Sequence, residues 1–270
     1  MKKVLIITTL FFLLVTFGCK KNIPDKMYVS STKGVILRAE PDSNSNKITL
    51  VPFMTEVQII EQKKEQIFLA ERYGKWTKVK FDNNEGWLFG GFLCEFKIDK
   101  LLETASKFHT EQFNKNDCVI NSFKTRNDSN SEVFNFSKLI SMKPSDVTID
   151  TIINNYIVIR LPLTAYDTCE DVSEGNELWY YDNNDKTFKI KKEAPEGRSH
   201  WVDLRYLNND NIPDFIFTGG CCGGWIKEIY LGDKNGDFKL SKTISCDSES
   251  PSDSDELCDE KKLKEYYSKN

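Results

Sequence analysis

What the chain lacks narrows its chemistry first. Eight cysteines are present, yet no two stand in a Cys-x-x-Cys spacing, which removes the strongest thiolate zinc signature. Histidine occurs only at His109 and His200, so mechanisms built on a histidine base have little to draw on. There is no basic block, and the formal net charge is -4. Such a chain offers no electrostatic footprint for nucleic acid, and that partner class is excluded. The apolar run Val4 to Phe17 falls short of the roughly 20 residues that a bilayer span requires.

What is present describes a folded, β-leaning chain. Charged residues at 29%, hydrophobic residues at 39% and aromatic residues at 12% suit a globular protein with Phe, Tyr and Trp enough for β-structure cores. A length of 270 residues leaves room for two modest domains. The expected fold class is mainly β: a small barrel, a connecting helix, then a second β-rich domain with a weak internal repeat.

The first nineteen residues set the compartment. Lys2 and Lys3 open the chain, an apolar stretch follows, and Gly18-Cys19 closes it. These are the proportions of a secretory signal. A cysteine after a small residue at that point resembles a bacterial lipoprotein signal, although Thr16 and Phe17 depart from the family's Leu and small residue. The resemblance implies removal of residues 1–18, acylation of Cys19, and a protein held by lipid at a bacterial membrane, facing the periplasm or the exterior. Two lipid signals already suffice for stable anchoring. Loss of Lys2 and Lys3 would take the formal charge from -4 to -6. Residues 19–26 read as a tether.

Export changes the reading of the other cysteines, Cys94, Cys118, Cys169, Cys221, Cys222, Cys246 and Cys258. In an oxidising compartment disulfides come before metal thiolates. Cys246 with Cys258 is the local pair expected first, and an odd number leaves one thiol free or paired between chains. Thr218 to Trp225, TGGCCGGW, demands a backbone that only glycine takes readily. Its adjacent cysteines read as structural staples, for example toward Cys169.

From Met27 short β-rich runs alternate with turn residues, the spacing of a small barrel. GVILRAEPDSNSNKI carries Leu37, Arg38 and Pro41, and GKWTKVKFDNNEGWLFGGFL carries Trp76, Gly86 and Trp87. Residues 27–96 resemble a bacterial SH3-like (SH3b) domain, with Met54 where the family has a turn glycine. The resemblance implies binding of a peptide, a protein or a cell-wall component in a groove, with Tyr28, Tyr73, Trp76, Trp87 and Phe89 as candidate ligand-binding residues. Trp76 and Trp87 could equally be core residues that start strands.

Residues 97–140 are expected to form a connecting helix and a polar loop. Leu101, Leu102, Ala105 and Phe108 share one helical face, with Asp99 near the positive end of the helix dipole. Residues 141–245 form the second β-rich domain. YIVIRLP with ELWYYDNNDKTFKI is echoed by DFIFTGG with KEIYLGDKNGDFKL; each copy is a strand, a connection and a hairpin, turning at Asp182 to Asp185 and at Asp233 to Asp237. Residues 246–270 are an acidic tail with a short helix from about Asp255.

LNNDNIPDF, Leu207 to Phe215, resembles the calcium loop of FG-GAP/VCBS-type repeats, which implies Asn208, Asp210 and Asp214 as metal ligands. Tyr206 and Asn211 replace that pattern's first acid and its glycine, and the alternative is an Asx-rich turn. No other cofactor is expected. Asp117-Cys118, with His200, is loosely similar to the nucleophile and histidine of NlpC/P60 cysteine peptidases, but Val119 and Ile120 break the motif. No catalytic residue is assigned. The expected function is a non-enzymatic binding module of the cell envelope, with a peptidoglycan peptidase or a calcium-stabilised adhesion scaffold as alternatives.

Overall fold

The computed structural model describes residues 23–115, 142–165, 172–192, 199–221, 224–247 and 256–269. The expectations for the signal peptide, Cys19, Cys118, Cys169, Cys222 and the acidic run before residue 256 lie outside that set. The protein is mainly β, as the sequence leads one to expect. No helix among the described residues is long and apolar enough to cross a membrane.

The first sheet is built from β1 (Lys26–Val29), β2 (Val35–Arg38), β3 (Lys47–Val51), β4 (Glu56–Gln62), β7 (Trp76–Phe81), β8 (Asn84–Phe89) and β9 (Leu93–Cys94). Their order is β3-β2-β8-β7-β4-β1-β9. Alternation places Val29, Leu37, Val51, Val57, Val79 and Leu88 in one buried core, as period-2 patterning on a half-buried strand requires. A separate hairpin, β5 (Ile67–Leu69) and β6 (Arg72–Gly74), pairs only with itself. Met54 takes φ 55, so the turn keeps the left-handed backbone of the family's glycine at the steric cost of a side chain.

Helix α1 (Asp99–Lys115) follows. Leu101 and Ala105 are fully buried while Leu102 and Phe108 pack half-buried against the same cluster, which is the apolar face legible in the sequence. That cluster is shared between the two halves of the chain. Tyr28, Cys94, Phe96 and Ile98 meet Ile152, Ile157, Ile159 and Trp179 in it, so the barrel and the second sheet bury one continuous apolar surface.

The second sheet comprises β10 (Thr148–Ile153), β11 (Tyr156–Ala165), β12 (Val172–Asp182), β13 (Thr187–Lys192), β14 (Ser199–Arg205), β15 (Asp214–Cys221), β16 (Gly224–Gly232) and β17 (Phe238–Asp247). Its order is β10-β11-β12-β14-β15-β16-β17, with β13 pairing β12. The two sequence copies become two antiparallel meanders, β11-β12-β13 and β15-β16-β17. The sheet curls, bringing β10 and β11 against β14. Val158 and Leu178 therefore share an interior with Val202, Leu204, Phe215 and Phe217.

Helix α2 (Glu260–Lys269) covers the outer face of the second meander. Leu263 and Tyr267, one turn apart, pack on Ile216, Ile229 and Ile244. It begins about five residues later than the sequence suggests, because Asp259 acts as its cap: Oδ1 accepts the N–H groups of Lys261 and Lys262 at 3.1 and 2.9 Å. The Cys246–Cys258 disulfide ties β17 to this turn, with Cα atoms 5.8 Å apart. It is the pair expected first.

Candidate functional site

The aromatic residues proposed from the sequence are largely inside the fold. Trp76, Trp87 and Phe89 form one buried cluster, with Ile67, Leu69 and Phe92 packed against it. Trp76 and Trp87 keep only 8% and 7% exposure, because the β5-β6 hairpin closes over the face that their alternation defines. Their ring contacts, such as Trp76 to Phe89 at 5.8 Å between centroids, are core packing of the edge-to-face kind. Tyr28 lies in the shared core and donates its hydroxyl to Glu56 Oε2 at 2.9 Å. Of the five residues, Tyr73 lines a cleft.

That cleft, of about 640 Å³, lies beside the barrel where β1, β4, β6 and β9 approach the β10-β11 turn. Tyr73, Gly74 and Gly90 line it, with Lys63, Lys64 and Lys75 as its cations, Glu95 as its carboxylate, and Asn154 and Asn155 at its far side. Tyr73 is held at the wall by Phe68, 4.7 Å between centroids, and by Tyr206 of the second sheet at 5.0 Å. Gly74 is required for the backbone to close here: a Cβ on it would lie 2.2 Å from the Gly91 nitrogen.

The electrostatics follow from the lysines. Lys63 pairs with Glu61 at 3.2 Å and lies 4.6 Å above the Trp87 ring. Among the described residues Lys64 and Lys75 make no ion pair. Against Glu95 in the same lining, the three lysines leave the groove's own charge positive, which favours a ligand bearing a carboxylate or another anion. The sequence signal was the Lys63-Lys64 pair in a short polar connection, unremarked because two lysines are usually a solvated turn.

The loop proposed to hold calcium has the expected turn but engages its oxygens internally. Asn211 takes φ 64, so asparagine supplies the left-handed backbone of the pattern's glycine. Asp210 Oδ1 accepts the Ile212 N–H at 2.8 Å, and Asn208 Oδ1 accepts that of Asp210 at 3.3 Å. Asp214 is fully buried; its Oδ2 accepts the Leu207 N–H at 2.8 Å and its Oδ1 that of Gly232 at 3.0 Å. Burial pushes its carboxyl up to about 6 although these N–H groups pull the other way. Asp214 joins the loop to the neighbouring hairpin. No group of three or more metal-ligating side chains occurs among the described residues.

Two polar contacts had no sequence signal. His109 Nε2 lies 3.0 Å from Glu177 Oε2, and the same oxygen accepts Trp179 Nε1–H at 2.9 Å. Arg72 donates to Thr151 Oγ1 at 2.9 Å and to the Ile152 carbonyl. Both join segments far apart in sequence. Cys94 is a buried free thiol whose pKa burial pushes up to about 12, which makes it inert. The side chain of His200, like Cys118, lies outside the described residues.

No curated protein and no solved structure matches the chain. Residues 33–93, from just before β2 into β9, match the family model for the bacterial SH3 domain, and this part of the chain is a bacterial SH3 domain.

Proposed function

We propose that the protein is a non-catalytic binding module of the cell envelope, lipid-anchored through Cys19, whose SH3 domain takes up an anionic peptide or cell-wall component in the lysine-lined groove. The carrying observation is that groove: Lys63, Lys64 and Lys75 around Tyr73, on a segment that matches the bacterial SH3 domain. An aromatic wall supplies contact area at low entropic cost, and ammonium groups orient a carboxylate. Phe68 and Tyr206 pack on Tyr73 and hold that wall, which limits the cost of ordering on binding.

The reading contains no chemical step. Co-sedimentation of the full-length protein with purified cell-wall sacculi, with the supernatant analysed for released fragments, tests it. Retention without release supports the binding module; fragment release would overturn its non-catalytic character.

A further inference from the structure

A second cleft, of about 560 Å³, opens where the turns of the β10-β11, β12-β13 and β16-β17 hairpins meet. We propose that it is a binding site for a neutral saccharide, distinct from the groove on the SH3 domain and going beyond the function proposed for it. Its lining is of side-chain amides and tyrosines. Asn155, Asn183, Asn184 and Asn235 converge on it, with Tyr156 and Tyr180 as an aromatic wall, their centroids 6.5 Å apart. Among the described residues none of those four side-chain amides has a hydrogen-bond partner. Each carries one acceptor and two donors with nothing to satisfy them but solvent or a ligand.

The charges point to a neutral ligand. Asp182 and Asp185 both pair with Lys189 at 2.7 Å, and Asp237 pairs with Lys191 at 3.4 Å. Lys191 also lies 4.8 Å over the Tyr180 ring. Carboxylates compensated in this way hold a cation poorly, and the paired lysines are equally unsuited to an anion. Primary amides beside tyrosine rings instead match a sugar, whose hydroxyls both donate and accept and whose C–H face packs on an aromatic ring.

The backbone that carries three of the amides is held in place before a ligand arrives. Asp182 Oδ1 accepts the Asn184 N–H at 2.9 Å, Asp233 Oδ1 that of Asn235 at 2.8 Å, and the Asn155 carbonyl accepts the Tyr181 N–H at 2.8 Å. Fixed backbones lower the ordering cost on binding. Asn154 and Asn155 border this cleft and the SH3 groove alike, so one extended ligand could reach both.

Calorimetric titration of the full-length protein with N-acetylglucosamine, its β-1,4 tetramer and maltotetraose tests the proposal. Saturable binding of at least one is expected. Asn183→Ala/Asn184→Ala/Asn235→Ala should weaken it about tenfold or more, as loss of several neutral hydrogen bonds implies, whereas Lys47→Ala, exposed on β3 and outside both clefts, should leave it unchanged. A tetramer much tighter than the monosaccharide identifies a glycan chain; equal affinities identify a free sugar. If the triple variant melts earlier than the parent, Asn184→Ser replaces it, with about a threefold weakening expected. No saturable binding of any of the three, or binding that the amide variants leave intact, would overturn the proposal. Sacculus retention through the SH3 groove is a separate readout and can fail independently.

Discussion

The guanidinium of Arg72, on the hairpin of the SH3 domain, donates to the hydroxyl of Thr151 in the second sheet at 2.9 Å, across 79 residues of sequence. It also donates to the Ile152 carbonyl and lies 4.8 Å over the Phe92 ring. Together with the core shared by Phe96, Ile98, Ile152 and Ile157, this contact joins the two halves of the chain. Arg72→Ala should lower stability by about 2–3 kcal/mol, the scale of charge-assisted hydrogen bonds lost from a buried site. Arg72→Lys should recover only part of it, because an ammonium lacks the planar fork. Urea unfolding of both variants checks this, and an unchanged midpoint would rule out the role.

Asp214 gives a pH signature. Its folded carboxyl, pushed up to about 6 by burial, holds a proton that the unfolded chain gives up nearer its ordinary value of about 3.9. Its contribution is most favourable below the unfolded value and is lost as pH rises through about 6. The difference in stability between wild type and Asp214→Asn should therefore shift by about 2–3 kcal/mol between pH 4 and 7, the wild type losing ground as pH rises. Paired denaturation curves across that range provide the measurement. A pH-independent difference would contradict the assignment.

How much of this was legible in the sequence varies with how local the cause is. The face of α1 followed from Leu101, Ala105 and Phe108 alone. The barrel followed from strand lengths and from the Leu37-Arg38-Pro41 and Trp76 to Trp87 patterns, and Cys246–Cys258 from proximity. Alternation put Trp76 on a definite face but could not reveal that β5-β6 would close over it, since that hairpin pairs only with itself. Glu177 and His109 are 68 residues apart, and nothing local distinguishes either from a surface residue. At Met54 and Asn211 the residue type concealed a turn that the backbone kept.

The β5-β6 turn stores avoidable strain. Ala70 and Glu71 take φ 50 and 59, the left-handed pair of a two-residue hairpin turn that favours Asn-Gly. Ala70→Asn/Glu71→Gly should raise stability by about 1 kcal/mol. The exposed Glu71–Lys264 contact at 3.6 Å that it removes is of the kind that contributes little. A thermal melt no higher than that of the parent would contradict the reading.

The disulfide holds α2 on the sheet. Cys246→Ser/Cys258→Ser reopens a loop spanning a sequence separation of 12, which should cost about 3 kcal/mol on loop-entropy grounds. Hydrogen exchange should then rise first in Glu260–Lys269. Uniform protection unchanged from wild type would show that the bridge is dispensable.

Retention on cell-wall sacculi of the full-length protein against Lys64→Glu/Lys75→Glu tests the central claim most directly. The lysine-lined groove predicts that the wild type sediments with sacculi and releases no fragments, and that the charge-reversed variant, folded and with an unchanged melt, is retained several-fold more weakly. Equal retention of the two proteins would contradict a ligand held in that groove.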